Sequence, residues 1–355
     1  MRLRSSCLLV VLLALPREAG AIILFGTGDP NSNTTAPAGA LVDSGWKTQT
    51  ESNPSGTAVG KSHVLSAKHI GTKPGNTLKL DGLTYEVRRV ADAPDSDLRI
   101  LEVAGRLGSD QIAEIYSGNN EVGRSCVLHG CGRGRGDAVF AITPAGPQLS
   151  GWKWGGGGGS LRWGTNVIEG AIWYPGLGTF IYARFNGNVG ADEATVAVGD
   201  SGGGVFVRDS DGRWKLAGVM SDTDGYFKVT QDDSPFYAAA FDRRGLFTLN
   251  FDGTWSQVPV SGPPIGSLWQ ATRVSAYQTW IQGQLDKPVS EDWPRLASSI
   301  SPTEAFGEHD AYAVNTTQRR ITLQASDQQR FFQLNGTSPI RQVRLNGDDV
   351  VEIDY

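Results

Sequence analysis

Hydrophobic and polar residues alternate in short runs along most of the chain. Residues 62–67 (SHVLSA), 84–90 (TYEVRRV) and 97–103 (DLRILEV) read as strands with turn residues between them. A second series follows at 126–129 (CVLH), 138–142 (AVFAI), 180–185 (FIYARF), 204–207 (GVFV), 214–220 (WKLAGVM) and 237–241 (YAAAF). Strands at such spacing predict two consecutive β-barrels or sandwiches. One segment breaks the pattern. Residues 272–285 (TRVSAYQTWIQGQL) place Val274, Tyr277, Ile281 and Leu285 on one helical face, which predicts a helix closing the domain. Pro288, Pro294 and Pro302 mark a linker over 286–308. Alternation returns at 320–323, 331–334, 340–345 and 350–353, with Asn346-Gly347 as a hairpin signal. The expected units are therefore a main domain over 22–285 and a small all-β module over 309–355.

Composition narrows the class. The chain has 355 residues, 39% hydrophobic and 19% charged, with a net charge of −5. That suits a globular protein, and no basic surplus points to nucleic acid. Arg2 and Arg4 followed by the apolar run 7–15 (CLLVVLLAL) and by Ala19-Gly20-Ala21 form a secretory signal. Cleavage after Ala21 leaves Ile22 first, and no other segment is apolar enough to span a bilayer. The expected protein is exported, extracellular or periplasmic.

Cysteine usage follows from export. Cys7 leaves with the signal, so Cys126 and Cys131 remain, and an oxidising compartment makes a short-loop disulfide the first expectation. Cys126, His129 and Cys131 are three potential zinc ligands without a visible fourth, so no metal and no cofactor are expected. Residues 152–164 (WKWGGGGGSLRWG) read as a surface excursion, or alternatively a substrate-facing loop, pinned by Trp152, Trp154 and Trp163, because a run of glycine cannot hold a regular element.

The candidate chemistry lies in residues 199–206 (GDSGGGVF). Ser201 alone is a serine in a glycine-rich turn. A hydroxyl nucleophile needs a base near neutral pKa, and His69 sits at the end of a strand-like run, where a rigid element would aim it. Asp97 leads directly into another apolar strand and is placed to orient the imidazole.

These residues carry a resemblance. Residues 62–69 (SHVLSAKH), Asp97-Leu98-Arg99-Ile100-Leu101 and Gly199-Asp200-Ser201-Gly202-Gly203 resemble, in that order, the three motifs of trypsin-like (chymotrypsin-fold) serine proteases. Residues 216–221, Phe236-Tyr237 and 274–281 add weaker echoes, and the likeness covers about 38–285. It implies an all-β fold of two consecutive six-stranded antiparallel β-barrels with a C-terminal helix. It also implies a secreted endopeptidase in which Ser201 attacks the substrate carbonyl and His69 moves the proton. Asp97 would support the imidazolium, and the N–H groups of Gly199 and Ser201 would form the oxyanion hole. Ser221 would hydrogen-bond Asp97, and Asp200 would pair with a new N-terminal ammonium, here that of Ile22.

Departures from the family pattern shape the finer expectations. Ile70-Gly71 follows the histidine where animal members carry cysteine, which suggests a bacterial-type member, as do residues 25–30 and 38–46. The pocket floor falls at Thr195, beside Val196, so an uncharged P1 residue is expected. Ser221, Asp222 and Thr223 form the pocket wall. Asp222 and Asp224 are acids that could instead attract a basic side chain, and Pro235 falls where a small glycine usually opens the pocket. The expected partner is a protein or peptide substrate. The alternative is a secreted binding protein on an inactive protease fold.

Overall fold

The computed structural model describes residues 20–250, 252–289, 293–325, 330–335, 339–346 and 349–355. The signal expected over 1–21 lies almost wholly outside them, as does Gly347 of the tail hairpin. No helix among the described residues is long and apolar enough to cross a membrane.

The chain is all-β, with a first antiparallel sheet of five strands. They run in the order Thr57–Gly60, His63–Ala67, Leu98–Val103, Leu83–Asp92 and Thr77–Leu80. The strand His63–Ala67 is buried along its whole length. Alternation explains this: Leu65 and Ala67 join one core with Leu98 and Ile100, while Val64 joins another with Leu101 and Val103. With both faces covered, a one-residue slip would misplace every side chain, so the register Ala67 opposite Leu98 is firmly set.

The second unit has a seven-stranded sheet in which Ser125–Gly130, Gly204–Arg208, Trp214–Thr223 and Leu268–Arg273 are successive neighbours. A six-stranded sheet adjoins it, with Phe236–Ala240 beside Gly146–Trp154. Near the start of the chain Ile23–Leu24 pairs with Ala194–Thr195, placing Ile23 opposite Thr195. The α-helix is shorter than its periodicity predicts, running over Gln278–Leu285 after a 3-10 turn at Val274–Tyr277. Thr272 and Arg273 instead complete the sheet ladder, with Thr272 opposite both Phe180 and Val219. The helix buries Ile281 in the core that holds Leu65 and Leu98, which ties the end of the second unit to the first.

Two sequence expectations change in the tail. The segment read as linker contains the strands Arg295–Ser299 and Gly307–Glu308, and Trp293 and Leu296 are buried with Tyr312 and Ile353. The prolines stand outside those strands, which leaves their ladders intact. The module is also not a separate body. Its strand Tyr312–Asn315 pairs with Gly105–Arg106 of the main domain, and Ala104 and Ala313 each sit in the other unit's core. Gly105 makes that junction possible. It has φ +111°, and a Cβ there would lie 2.2 Å from the Tyr312 carbonyl oxygen. Gly105→Ala is expected to cost at least about 2 kcal/mol in urea unfolding. An unchanged midpoint would mean that the junction carries no stability.

The glycine-rich stretch likewise divides differently. Trp152 and Trp154 belong to the strand Gly146–Trp154, and Trp163 to Arg162–Val167. Trp152 is a core residue packed with Ile23 and Phe185.

Cys126 and Cys131 are both free and buried, which corrects the expected disulfide. Cys126 lies near the start of the extended strand Ser125–Gly130 and Cys131 just beyond its end. Five residues of extended chain separate Cα atoms by about 16 Å, well past the reach of a disulfide. Burial pushes the Cys131 thiol up to about 12 and the Cys126 thiol upward too, so neither is a ready nucleophile.

Candidate active site

Antiparallel pairing brings His69 and Asp97 together. Ala67 opposite Leu98 puts the end of one strand beside the start of the other. The chain then turns in the 3-10 segment Lys68–Ile70. The Lys68 N–H donates to the Asp97 carbonyl at 2.7 Å, and the His69 N–H donates to Asp97 Oδ1 at 2.9 Å. His69 Nδ1 lies 2.7 Å from Asp97 Oδ2. The Ser221 hydroxyl donates to the same oxygen at 2.5 Å. Burial alone would raise the Asp97 carboxyl; the hydrogen bonds from His69 and Ser221 outweigh it and hold the group below the usual carboxylate range. The bond to Asp97 raises the His69 imidazole above its ordinary value, against partial burial and with help from the charges of Asp97 and Asp222. A ring so held presents Nε2 on the side away from Asp97.

Ser201 is half-buried on the turn between Ala194–Thr195 and Gly204–Arg208. Gly199 has φ +94°, and a Cβ there would approach Gly132 Cα to 2.9 Å, so that position accepts only glycine comfortably. Among the described residues, the N–H groups of Gly199 and Ser201 donate no hydrogen bond to the protein, and the Ser201 hydroxyl makes none. Two clefts, of 590 and 430 Å³, both have His69, Val198 and Ser201 in their walls. Gly199 lines the larger one.

Asp200 is wholly buried behind the turn. It accepts from the Gly132 N–H at 2.7 Å, the Ala197 N–H at 2.8 Å and the Ile22 N–H at 3.3 Å. Burial still pushes its carboxyl up to about 6, although these bonds and the nearby Arg162 charge oppose the rise. Arg162 reaches the carbonyls of Ala21, Ile22 and Asp29 at 3.1, 3.4 and 2.9 Å.

The smaller cleft revises the pocket. Val196, Ser221, Asp222 and Thr223 line it, but Thr195 does not. Thr195 is fully buried, because its strand pairs with Ile23–Leu24 and the ladder draws it into the interior. Pro235 stays exposed outside the cleft, and the next strand contributes Tyr237 instead. Asp224 is ion-paired with Arg243 at 2.5 Å and accepts from the Leu268 N–H, so it faces an internal partner. Trp154, Tyr237, Met220 and Arg133 also line the cleft; the sequence reading named none of them as pocket residues, although it likened the strand of Tyr237 to one that backs a pocket. Trp154 and Tyr237 stack, with ring centroids 4.7 Å apart. Period-2 alternation of Trp152 and Trp154 was the available signal for a strand there.

No family model matches the chain. No curated protein matches it. Among solved structures it is similar to neuropsin, described as a serine protease expressed in the limbic system of mouse brain. The identity is 17% and the TM-score 0.40, covering 69% of this chain and 97% of that one. The described residues form two successive antiparallel β units, the second closed by a short α-helix, in an all-β arrangement.

Proposed function

We propose that the protein is an exported serine endopeptidase of trypsin-like, bacterial type, with Ser201 as nucleophile, His69 as general base and acid, and Asp97 as the positioning residue. The observation that carries this reading is the doubly held imidazole. Asp97 bonds both its ring and its backbone, in a cleft whose wall includes Ser201. In this reading Ser201 Oγ attacks the substrate carbonyl and passes its proton to His69 Nε2. The developing oxyanion takes the open N–H groups of Gly199 and Ser201. His69 then protonates the leaving amine, and water repeats the sequence on the acyl-enzyme. The recess formed by Val196, Ala197, Val198 and Met220 suits an uncharged side chain at the cleaved residue.

Labelling by a fluorophosphonate probe, lost in Ser201→Ala, tests the assignment. An unlabelled wild-type protein would favour a binding role on an inactive fold. The pH profile is a second check. The base must be neutral, and its pKa is raised, so activity is lost as pH falls through a value above the ordinary 6.5. A kcat/KM profile with its acid limb below that value would contradict the role of His69.

The same reading makes Ile22 the working N-terminus. Its nitrogen already lies 3.3 Å from Asp200 Oδ1. Its φ of +40° is a costly backbone for a β-branched residue, and cutting the 21–22 bond removes that constraint.

A further inference from the structure

The smaller cleft holds two charged side chains that the proposed chemistry does not use, Asp222 and Arg133. Asp222 is exposed on the strand Trp214–Thr223, one residue past the serine that bonds Asp97. Its side chain makes no ion pair or hydrogen bond among the described residues, unlike Asp224, which Arg243 engages. Its charge is close enough to act on His69. Arg133 also lines the cleft, and its backbone N–H donates to the Val198 carbonyl at 3.1 Å. The two share the cleft without forming an ion pair between them. The same cleft has an apolar recess lined by Val196, Ala197, Met220, Trp154 and Tyr237.

This arrangement sorts charge. A carboxylate at the mouth of a half-enclosed cleft loses water when a peptide fills it, and a cation restores the balance. The buried part of the lining, from Val196, Ala197 and Met220, offers a cation no carboxylate. We propose that Asp222 selects the substrate. The favoured peptide places an uncharged side chain in the recess and a lysine or arginine at the neighbouring residue, its cationic end paired with Asp222. The inference rests on the peptidase reading above. An ion pair this open contributes little, so the expected preference is about fivefold for a cationic over a neutral neighbour at low salt, falling as salt rises.

The test compares kcat/KM for three peptides that differ only in carrying Lys, Gln or Glu beside the cleaved residue. Wild type is expected to rank Lys above Gln above Glu. Asp222→Asn should level the three and Asp222→Lys should invert them. Each protein is read by its own ratios, so a general loss of activity in a variant does not blur the result. Cleavage of all three at equal rates, a lysine preference that survives in Asp222→Asn, or a preference for lysine at the cleaved residue itself would overturn the inference alone. A wild-type protein that neither cleaves any peptide nor labels with fluorophosphonate would overturn the peptidase reading and this one with it.

Discussion

Asp97→Asn is expected to lower kcat by about 10⁴-fold at neutral pH while the protein stays folded. The geometry gives the reason. Asp97 Oδ1 accepts from the His69 backbone, and an asparagine carbonyl can keep that bond. The amide nitrogen then replaces Oδ2, the atom 2.7 Å from His69 Nδ1. An NH₂ group there donates to Nδ1 and moves the ring proton to Nε2. The base now presents a hydrogen where it must accept one from Ser201. Ser221 also loses the acceptor it shares with the ring. Combining this change with Ser201→Ala should add little, because residues that act as one unit are not additive. Single-turnover kinetics with an activated ester would measure it. A loss smaller than tenfold would remove Asp97 from the mechanism.

A chain carrying even one extra residue before Ile22 is expected to be less stable and roughly 100-fold less active than one beginning there. With the 21–22 bond intact, Asp200 is buried with peptide N–H groups around it and no ammonium, and its carboxyl sits near 6 rather than 3.8. A gap of that size costs on the order of 3 kcal/mol at neutral pH. Because the folded value is raised, the cost is absent below about pH 4, grows as pH rises, and is complete above about pH 6. An Ile22 ammonium would offset it by pairing with the carboxylate. The two forms should therefore have similar melting temperatures near pH 4 and diverge toward pH 7. Activity follows because Asp200 lies between Gly199 and Ser201, whose N–H groups are the proposed oxyanion donors. Thermal scans of both forms across pH, with N-terminal sequencing of the exported protein, decide the matter. Equal melting temperatures at pH 7, or a natural start elsewhere, would refute it.

Local features were readable where the chemistry is local. Period-2 alternation in 62–67 and 97–103 marked strands because both faces of those strands need apolar partners. The glycines around Ser201 marked a tight turn because backbone with positive φ demands them there. Other features depended on atoms far away in sequence. Thr195 has the composition of a neutral pocket floor, yet pairing with Ile23 takes it out of the cleft. Asp224 and Asp222 look alike in sequence, and only a distant arginine separates them. Trp154 and Tyr237 form one aromatic wall although they are 83 positions apart in sequence.

The sequence by itself determined the all-β character, the order of histidine, aspartate and serine, and the strand ends on which the first two stand. Those follow from side-chain periodicity and turn chemistry, which act over a few residues. Only the tertiary structure decided that both cysteines stay free, that the tail is fused to the first unit, and which acid faces the cleft. Each of those depends on which strand edges meet, and on burial that a linear pattern does not encode.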